Sequence, residues 1–302
     1  MRKFIVSDLH GKGEVYNSII GYLENISLVE DVELFINGDL IDRGIDSFTM
    51  LMDVYDRING KGNIKINYLG GNHELMMWQA LKEREPNMNP RRWCNWLCNG
   101  GWIIEGEMDS REDGEELYDK FYKFLGKLKI YHKFEEKVKD NNILLVHAQA
   151  PKNIKDICDM KISNNTSAVE NAVWNRRERL GEKEVFLGKT GYLTIIGHTP
   201  VSNSKGFIYD KKQNYINIDG GCAGYANGVF SYKYVPLVEV KDGYIKILVF
   251  NHNNEIDMGY IFDEEFYKMN KNELNKEIMF IDHNNDNCMD KQKTLIKQRL
   301  IR

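Results

Sequence analysis

The chain has 302 residues, of which 42% are hydrophobic and 28% charged, and its formal net charge is −4. A chain of this length and composition can bury a sizeable core, which excludes a disordered protein and a disulfide-stapled miniprotein. The slightly acidic balance argues against general nucleic-acid binding, because that function requires a basic face.

The cysteines and the N-terminus together predict a cytoplasmic protein. The five cysteines include no Cys-x-x-Cys pair, and an odd number without a secretory signal indicates reduced thiols. The first eight residues turn polar too early for a signal peptide. No apolar run approaches the ~18 residues that a membrane-spanning helix needs, so we expect no membrane association.

Three short apolar runs near the N-terminus predict strands that alternate with amphipathic helices. The runs cover residues 3–7, 34–36 and 64–69, and apolar residues recur at helical spacing between them. Each run ends at a cluster of Gly, Asp, Asn or His. Because ligands gather beyond the carboxyl ends of strands in open α/β sheets, we expect the chemistry there.

The segment from about residue 75 to 130 has a different pattern and is interpreted as a helical insertion over the strand ends. Polar helical stretches dominate it, and it contains the tryptophans Trp78, Trp93, Trp96 and Trp102. We expect these aromatic rings to pack inside the insertion. The alternative is a stacking wall for a nucleobase or an aromatic side chain of a substrate.

Strand patterns return after the insertion. Predicted strands cover 133–139, 143–146, 192–196, 207–209, 215–218, 235–240 and 244–250, and a helix lies around 168–180. The order of elements predicts an α/β fold, in which 1–250 form one domain. Residues 251–302 are interpreted as a polar C-terminal extension with a helix at 264–276.

Six polar side chains at the predicted strand ends form one candidate ligand set. They are two aspartates, one asparagine and three histidines: Asp8, His10, Asp39, Asn72, His147 and His198. Six groups on five strand ends suit two ions that share a bridging carboxylate. Mixed imidazole and carboxylate ligands favour Mn, Fe or Zn over Mg or Ca, and the choice among those three stays open.

Four further residues provide what a phosphoryl transfer needs besides a metal pair. Arg43 can grip phosphate oxygens in a bidentate manner, and Arg176 is a second candidate clamp. His73 follows Asn72 but points elsewhere, so it is free to protonate a leaving oxygen. Asp42 is a plausible partner that orients this histidine.

Five motifs, in this order along the chain, resemble those of the calcineurin-like metallophosphoesterases. They are Asp8-Leu9-His10-Gly11, Gly38-Asp39-Leu40-Ile41-Asp42-Arg43-Gly44, Gly71-Asn72-His73-Glu74, Val146-His147-Ala148 and Gly197-His198-Thr199-Pro200. The second and third resemble the phosphoprotein phosphatase branch. The Ser-Ala-Pro-Asn-Tyr-Cys stretch of its eukaryotic members is absent, and residues 217–222 stand near that place, which points to the bacterial and phage group. Ser7 departs from the family pattern, which usually has Gly there. The resemblance implies an αββα sandwich of two mixed sheets flanked by helices, with a dinuclear metal site at the carboxyl ends of the strands.

The resemblance also implies a role for each candidate residue. The first ion would be held by Asp8, His10 and Asp39, and the second by Asp39, Asn72, His147 and His198. His73 with Asp42 would be the general acid pair. Arg43 and Arg176, with Asn72, would contact the substrate phosphate. A metal-bridging hydroxide would attack phosphorus in line, and no phosphoenzyme would form.

The leading hypothesis is a serine/threonine protein phosphatase-like enzyme that hydrolyses phosphomonoesters with two divalent ions, Mn being the most readily used in vitro and Fe or Zn the alternatives. An alternative is a hydrolase of dinucleoside polyphosphates, like the symmetrical tetraphosphatases, or of other nucleotides. A remote alternative is a non-catalytic phospho-binding module, which the complete set of site residues argues against. The expected partner is a phosphorylated protein or a nucleotide, and the sequence does not define the oligomeric state.

Overall fold

The computed structural model describes residues 1–84, 90–138, 140–151, 159–176, 188, 191–201, 206–225, 234–251, 253 and 255–262. Within those residues the chain forms eight α-helices and eleven β-strands. None of the described helices combines the length and the apolar composition that crossing a bilayer requires. The helix predicted at 264–276 lies outside the described residues.

The described elements alternate between strands and helices as far as β3 and then change character. In chain order the strands are β1 (Arg2–Val6), β2 (Val32–Asn37), β3 (Ile64–Leu69), β4 (Tyr131–Val138), β5 (Asn141–Val146), β6 (Tyr192–Ile196), β7 (Ile208–Asp210), β8 (Tyr215–Asn217), β9 (Tyr234–Lys241), β10 (Tyr244–Asn251) and β11 (Ile256–Phe262). The helices are α1 (Gly13–Ser27), α2 (Ser47–Ile58), α3 (Asn72–Lys82), α4 (Pro90–Trp96), α5 (Trp102–Asp109), α6 (Gly114–Leu125), α7 (Ser167–Trp174) and α8 (Cys222–Tyr225). A π-helical turn (Leu97–Gly101) joins α4 to α5, and a 3-10 turn (Ile162–Asn164) precedes α7.

The first sheet places three parallel strands so that they end at one edge. Its order is β11-β10-β9-β1-β2-β3. Val6 at the end of β1 pairs with Ile36 on β2, which in turn pairs with Tyr68 on β3. Every residue of β2 is buried, and burial of both faces explains why this strand is a continuous apolar run rather than an alternating one.

The second sheet has five strands in the order β4-β5-β6-β8-β7. Its central strands β5, β6 and β8 are parallel, and the edge strands β4 and β7 pair antiparallel to their neighbours. The ends of β5 and β6 lead directly to His147 and His198. Two predicted ligands therefore leave neighbouring strands of this sheet at the same edge.

Alternate residues of β2 show how the two sheets pack. Leu34 and Ile36 belong to a core cluster shared with the helices, whereas Phe35 belongs to a second cluster with Leu145 and Ile195 of the other sheet. The second cluster fills the space between the sheets. The predicted fold of two mixed sheets packed face to face with helices is confirmed.

The insertion consists of helices, and its tryptophans divide into two kinds. Trp78 and Trp96 are buried, and Trp93 is half-buried. Trp102, at the beginning of α5, is 62% exposed. Most of these rings therefore pack inside the insertion, and only Trp102 presents most of its surface to solvent.

The polar tail expected from residue 251 begins with a strand. β11 pairs antiparallel with β10 and forms the edge of the first sheet. The strand was not expected because its sequence, Ile-Asp-Met-Gly-Tyr-Ile-Phe, contains an aspartate and a glycine, both of which are depleted in strands. The first sheet thus extends to Phe262.

Candidate metal centre

The backbone turns sharply at the ends of the strands, and this brings the predicted site residues together. Positive φ angles occur at six of them: Asp8 (56°), His10 (44°), Asp39 (52°), Asp42 (69°), Arg43 (71°) and His198 (69°). Left-handed backbone is uncommon for residues other than glycine and costs about 1–3 kcal/mol where it is strained. Such a concentration is typical of functional sites, where the surrounding fold holds the strained turns in place.

Asp39 occupies the centre of the site and faces histidines on two sides. Its Oδ2 lies 3.4 Å from His10 Nε2, and its Oδ1 lies 3.3 Å from His147 Nε2. Two groups of side chains could each hold an ion, and both contain Asp39. They are His10 with Asp39 and His73, and Asp39 with His147 and His198. The arrangement suits a carboxylate that bridges two cations.

Hydrogen bonds behind the site set the tautomers of two histidines. His10 Nδ1 lies 3.0 Å from the carbonyl oxygen of Ile41, and His147 Nδ1 lies 2.8 Å from that of Asn37. Each carbonyl accepts the Nδ1–H, so that Nε2, when it carries no proton, directs its lone pair towards Asp39. This is the usual way in which a backbone carbonyl orients a metal-binding imidazole.

His198 has a buried nitrogen that no protein group in the described residues satisfies. Its Nδ1 is without a hydrogen-bond partner there, and its Nε2 lies 3.2 Å from the carbonyl oxygen of Trp174. Arg176 Nε also approaches Nε2, at 3.0 Å. Arg176 Nε–H donates to Nε2 here; once the guanidinium turns away, an Nε2–H donated to the carbonyl of Trp174 leaves the Nδ1 lone pair for a cation. The buried, unpartnered nitrogen and the mixed donor set both fit divalent ions.

Asn72 lies among these donors, whereas Asp8 is held to one side. The amide oxygen of Asn72 is 3.1 Å from His147 Nε2. Asp8 accepts a hydrogen bond from the Ser7 hydroxyl and from the amide of His198, and it belongs to neither group around Asp39. The role of Asp8 as a ligand stays a prediction. Ser7, which departs from the family pattern, thus contacts a candidate ligand directly.

Burial and the concentration of charge shift the pKa values of the candidate ligands. Burial and the neighbouring Asp39 raise the pKa of Asp8 to about 7. Burial lowers the pKa of His147, but Asp39 and Asp8 outweigh this effect and raise it to about 10. Burial, His147 and Arg176 lower the pKa of His198 to about 2. Without metal, the His147 ring therefore carries protons on both nitrogens and is positively charged at neutral pH, whereas the His198 ring is neutral.

We expect metal binding to release protons. His147 must lose its Nε2 proton to bind a cation, and Asp8 is only partly ionised at pH 7. Because protons compete with the metal below these pKa values, the affinity should rise by up to about tenfold per pH unit and per displaced proton between pH 6 and 8. Calorimetric titration of Mn²⁺ at pH 7 in two buffers of different ionisation enthalpy measures the release. Identical binding enthalpies in both buffers would contradict it.

A second cluster adjoins Asp39 and contains the predicted acid pair. His73 Nδ1 lies 2.7 Å from Asp42 Oδ2, and His73 Nε2 lies 3.0 Å from Arg43 Nη2. His73 and Asp42 are buried. The structure therefore brings the predicted acid, its carboxylate partner and the predicted clamp into direct contact. Arg176 lies instead beside His198, across the site from Arg43.

Glu74 is a structural residue that the motif contains but to which the sequence assigned no role. Its buried carboxylate accepts hydrogen bonds from the backbone amides of Asp39, Leu40 and Gly71, at 2.8, 3.1 and 2.8 Å, and from the hydroxyl of Tyr68 at 2.6 Å. It ties the ends of β2 and β3 together. A glutamate three residues after a predicted helix start is a capping signal, but the contacts to β2 have no sequence signature.

Replacing Glu74 with glutamine should destabilise the fold. The amide nitrogen cannot accept the hydrogen bonds that a carboxylate oxygen accepts, so buried backbone donors lose a partner. We expect the free energy of unfolding to fall by about 2–4 kcal/mol, measured by urea denaturation of metal-stripped protein. Glu115→Gln, which changes an exposed carboxylate paired with Arg84, is the control and should leave the midpoint unchanged. Equal urea midpoints of unfolding for both variants would show that Glu74 does not stabilise the connection between β2 and β3.

Comparisons with known proteins agree with this geometry. A family model described as calcineurin-like phosphoesterase matches residues 1–220. No curated protein matches the chain.

The solved structures that are similar to the chain include three phosphatases. A single-residue mutant of a cold-active protein tyrosine phosphatase shares 14% identity at a TM-score of 0.50, covering 86% of this chain and 80% of that one. The cold-active protein-tyrosine phosphatase of a psychrophilic Shewanella species shares 13% at 0.49, with the same coverage. A protein serine/threonine phosphatase from Saccharomyces cerevisiae shares 14% at 0.49, covering 80% and 73%. At such identities, the likeness concerns the fold alone.

Proposed function

Since the chain belongs to the calcineurin-like phosphoesterase family, we propose that it is a metal-dependent phosphomonoesterase that acts on phosphorylated serine and threonine residues of proteins. One observation carries the proposal. A buried His73–Asp42 pair and Arg43 lie beside the carboxylate of Asp39, which two candidate metal groups share. A proton donor, an anion clamp and a cation site in contact are the parts that phosphomonoester hydrolysis needs.

Two divalent cations would be held by Asp39, with His10 on one side and with His147 and His198 on the other, and Asn72 and Asp8 are further candidate ligands. When bound, such cations lower the pKa of water and neutralise the charge of a phosphoryl group. Their identity is part of the proposal: imidazole and carboxylate donors without a thiolate suit Mn, Fe or Zn.

Arg43 and Arg176 bind the phosphate in this proposal. Both guanidinium groups approach a ring nitrogen of a site histidine, Arg43 at His73 Nε2 and Arg176 at His198 Nε2. They reach the centre from different elements, Arg43 after β2 and Arg176 after α7. A dianionic phosphate is a better acceptor for a guanidinium than a neutral imidazole, so the substrate is expected to draw both groups towards itself.

His73 protonates the leaving oxygen in this proposal. In the structure its Nε2 accepts a hydrogen bond from Arg43, so its Nδ1–H donates to Asp42. When Arg43 turns to the phosphate, Nε2 becomes available to carry a proton. Asp42 then stabilises the imidazolium and keeps Nε2 directed at the departing alkoxide.

The buried tryptophans support a protein substrate over a nucleotide. Trp78 and Trp96, two candidates for stacking on a base, are buried in the insertion. Trp102, which is 62% exposed, is the observation that keeps a nucleotide hydrolase as the second candidate.

The test compares substrates on one preparation. Metal-stripped protein reloaded with Mn²⁺ is assayed with phosphoserine and phosphothreonine peptides, diadenosine tetraphosphate and simple nucleotides, and kcat/KM is compared. We expect the peptides to be preferred and Trp102→Ala to leave the peptide values unchanged. A preference for nucleotides that Trp102→Ala reduces would replace the proposal with the second candidate. Asp39→Asn serves as the background control.

A further inference from the structure

The carboxylate of Asp42 has a second donor, and it comes from the insertion. The indole Nε1 of Trp96 lies 3.1 Å from Asp42 Oδ1, while His73 Nδ1 lies 2.7 Å from Oδ2. Trp96 and Asp42 are both fully buried. Each carboxylate oxygen therefore has its own donor, one from the acid histidine and one from a residue 54 positions further along the chain.

The turn after Trp96 is packed so closely that it holds the indole in place. A Cβ at Gly101 would overlap with the indole ring of Trp96, and one at Gly100 would overlap with the backbone of Arg43. Gly100 also has a φ of 105°, which favours glycine. The π-helical turn thus lies directly on Arg43 on one side and on Trp96 on the other.

A buried carboxylate needs donors on both oxygens to stay in one orientation. If Oδ1 had no donor, the carboxylate could rotate about χ2 and present either oxygen to His73. An unsatisfied buried acceptor is also costly, by about 1–3 kcal/mol. The indole N–H removes both problems, because it is a donor only and sits on a rigid ring.

We propose that Trp96 is a positioning residue that acts through Asp42 on His73, so that the segment 90–109 sets the orientation of the acid pair. This rests on the proposed function, in which His73 protonates the leaving oxygen. The insertion is then a support of the reaction centre rather than a base-stacking lid.

The test uses Trp96→Phe, which keeps an aromatic ring and loses the N–H. For phenyl phosphate, whose leaving group needs protonation, kcat should fall on the order of 10-fold. For 4-nitrophenyl phosphate, whose leaving group does not, the fall should stay below about twofold, and KM and bound metal should not change. A residue that only supports packing would lower both rates equally.

Trp93→Phe is the matched control. Trp93 packs against Trp96 with ring centroids 5.5 Å apart, whereas the side-chain donors to the Asp42 carboxylate are His73 and Trp96, so replacing Trp93 should leave the ratio of the two rates unchanged. If Trp96→Phe fails to fold, Gly101→Ala, whose Cβ displaces the indole, should change the ratio of the two rates in the same direction. If the wild-type protein is active and every variant keeps its ratio of the two rates, the role of Trp96 is overturned and the proposed function is not. A wild-type protein inactive on both esters would overturn the proposed function and this inference with it.

Discussion

Replacing Asp39 with asparagine should lower phosphatase turnover on the order of 10³-fold or more and reduce the bound metal below two ions per chain. The reason lies in the two faces of this side chain: Oδ1 approaches His147 and Oδ2 approaches His10. An amide offers one oxygen and no charge, so at most one of the two groups keeps an oxygen ligand from this residue, and neither keeps its negative charge. Turnover of phosphopeptides and metal content by mass spectrometry measure the two effects on the same sample.

Asp56→Asn is the control for this variant. Asp56 lies on α2 and has a half-exposed carboxylate, so its loss should change neither turnover nor metal content. Near-normal turnover in Asp39→Asn, with two ions still bound, would remove this residue from the centre of the site.

His73→Asn has the second largest expected effect, a loss in kcat of ~10²–10⁴-fold with an unchanged metal content. Asparagine fills the space of the imidazole atoms closest to Cβ, but it has no group that could donate a proton at the position of Nε2. The loss should be greatest for serine phosphate and phenyl phosphate and much smaller for 4-nitrophenyl phosphate. Steady-state rates on this series of leaving groups measure it.

Equal losses in kcat for all leaving groups would show that His73 does not act as the general acid. Because His73 also belongs to a group that could hold an ion, with His10 and Asp39, the metal content distinguishes the two possibilities. A variant that loses one ion and shows equal losses in kcat for all leaving groups would identify His73 as a ligand.

Much of the fold followed from local patterns. The apolar runs that became β1, β2 and β3 each ended in a polar cluster, and parallel neighbours in one sheet bring such ends together. The same reasoning placed His147 and His198 beyond β5 and β6. Strand ends can be recognised locally in a sequence, and a parallel sheet places the residues that follow them at one edge, where they form a site.

Contacts that depend on the path of a long insertion could not be predicted. The hydrogen bond from Trp96 to Asp42 joins residues from different elements, and the sequence marks Trp96 only as one of several aromatic residues. The contact of Arg176 with His198 was equally unpredictable, because it depends on the turn that follows α7. The tautomers of His10 and His147 depend on the carbonyl groups of Ile41, in the loop after β2, and of Asn37, at the end of β2. These are tertiary features, and neither periodicity nor composition encodes them.

The most direct test is anomalous diffraction at the manganese edge from a crystal of the Mn²⁺-loaded protein. We predict two anomalous peaks, one on each side of the Asp39 carboxylate, with His10 beside the first and His147 and His198 beside the second. A single peak, or peaks away from Asp39, would contradict the two-metal centre on which the proposed phosphatase activity depends.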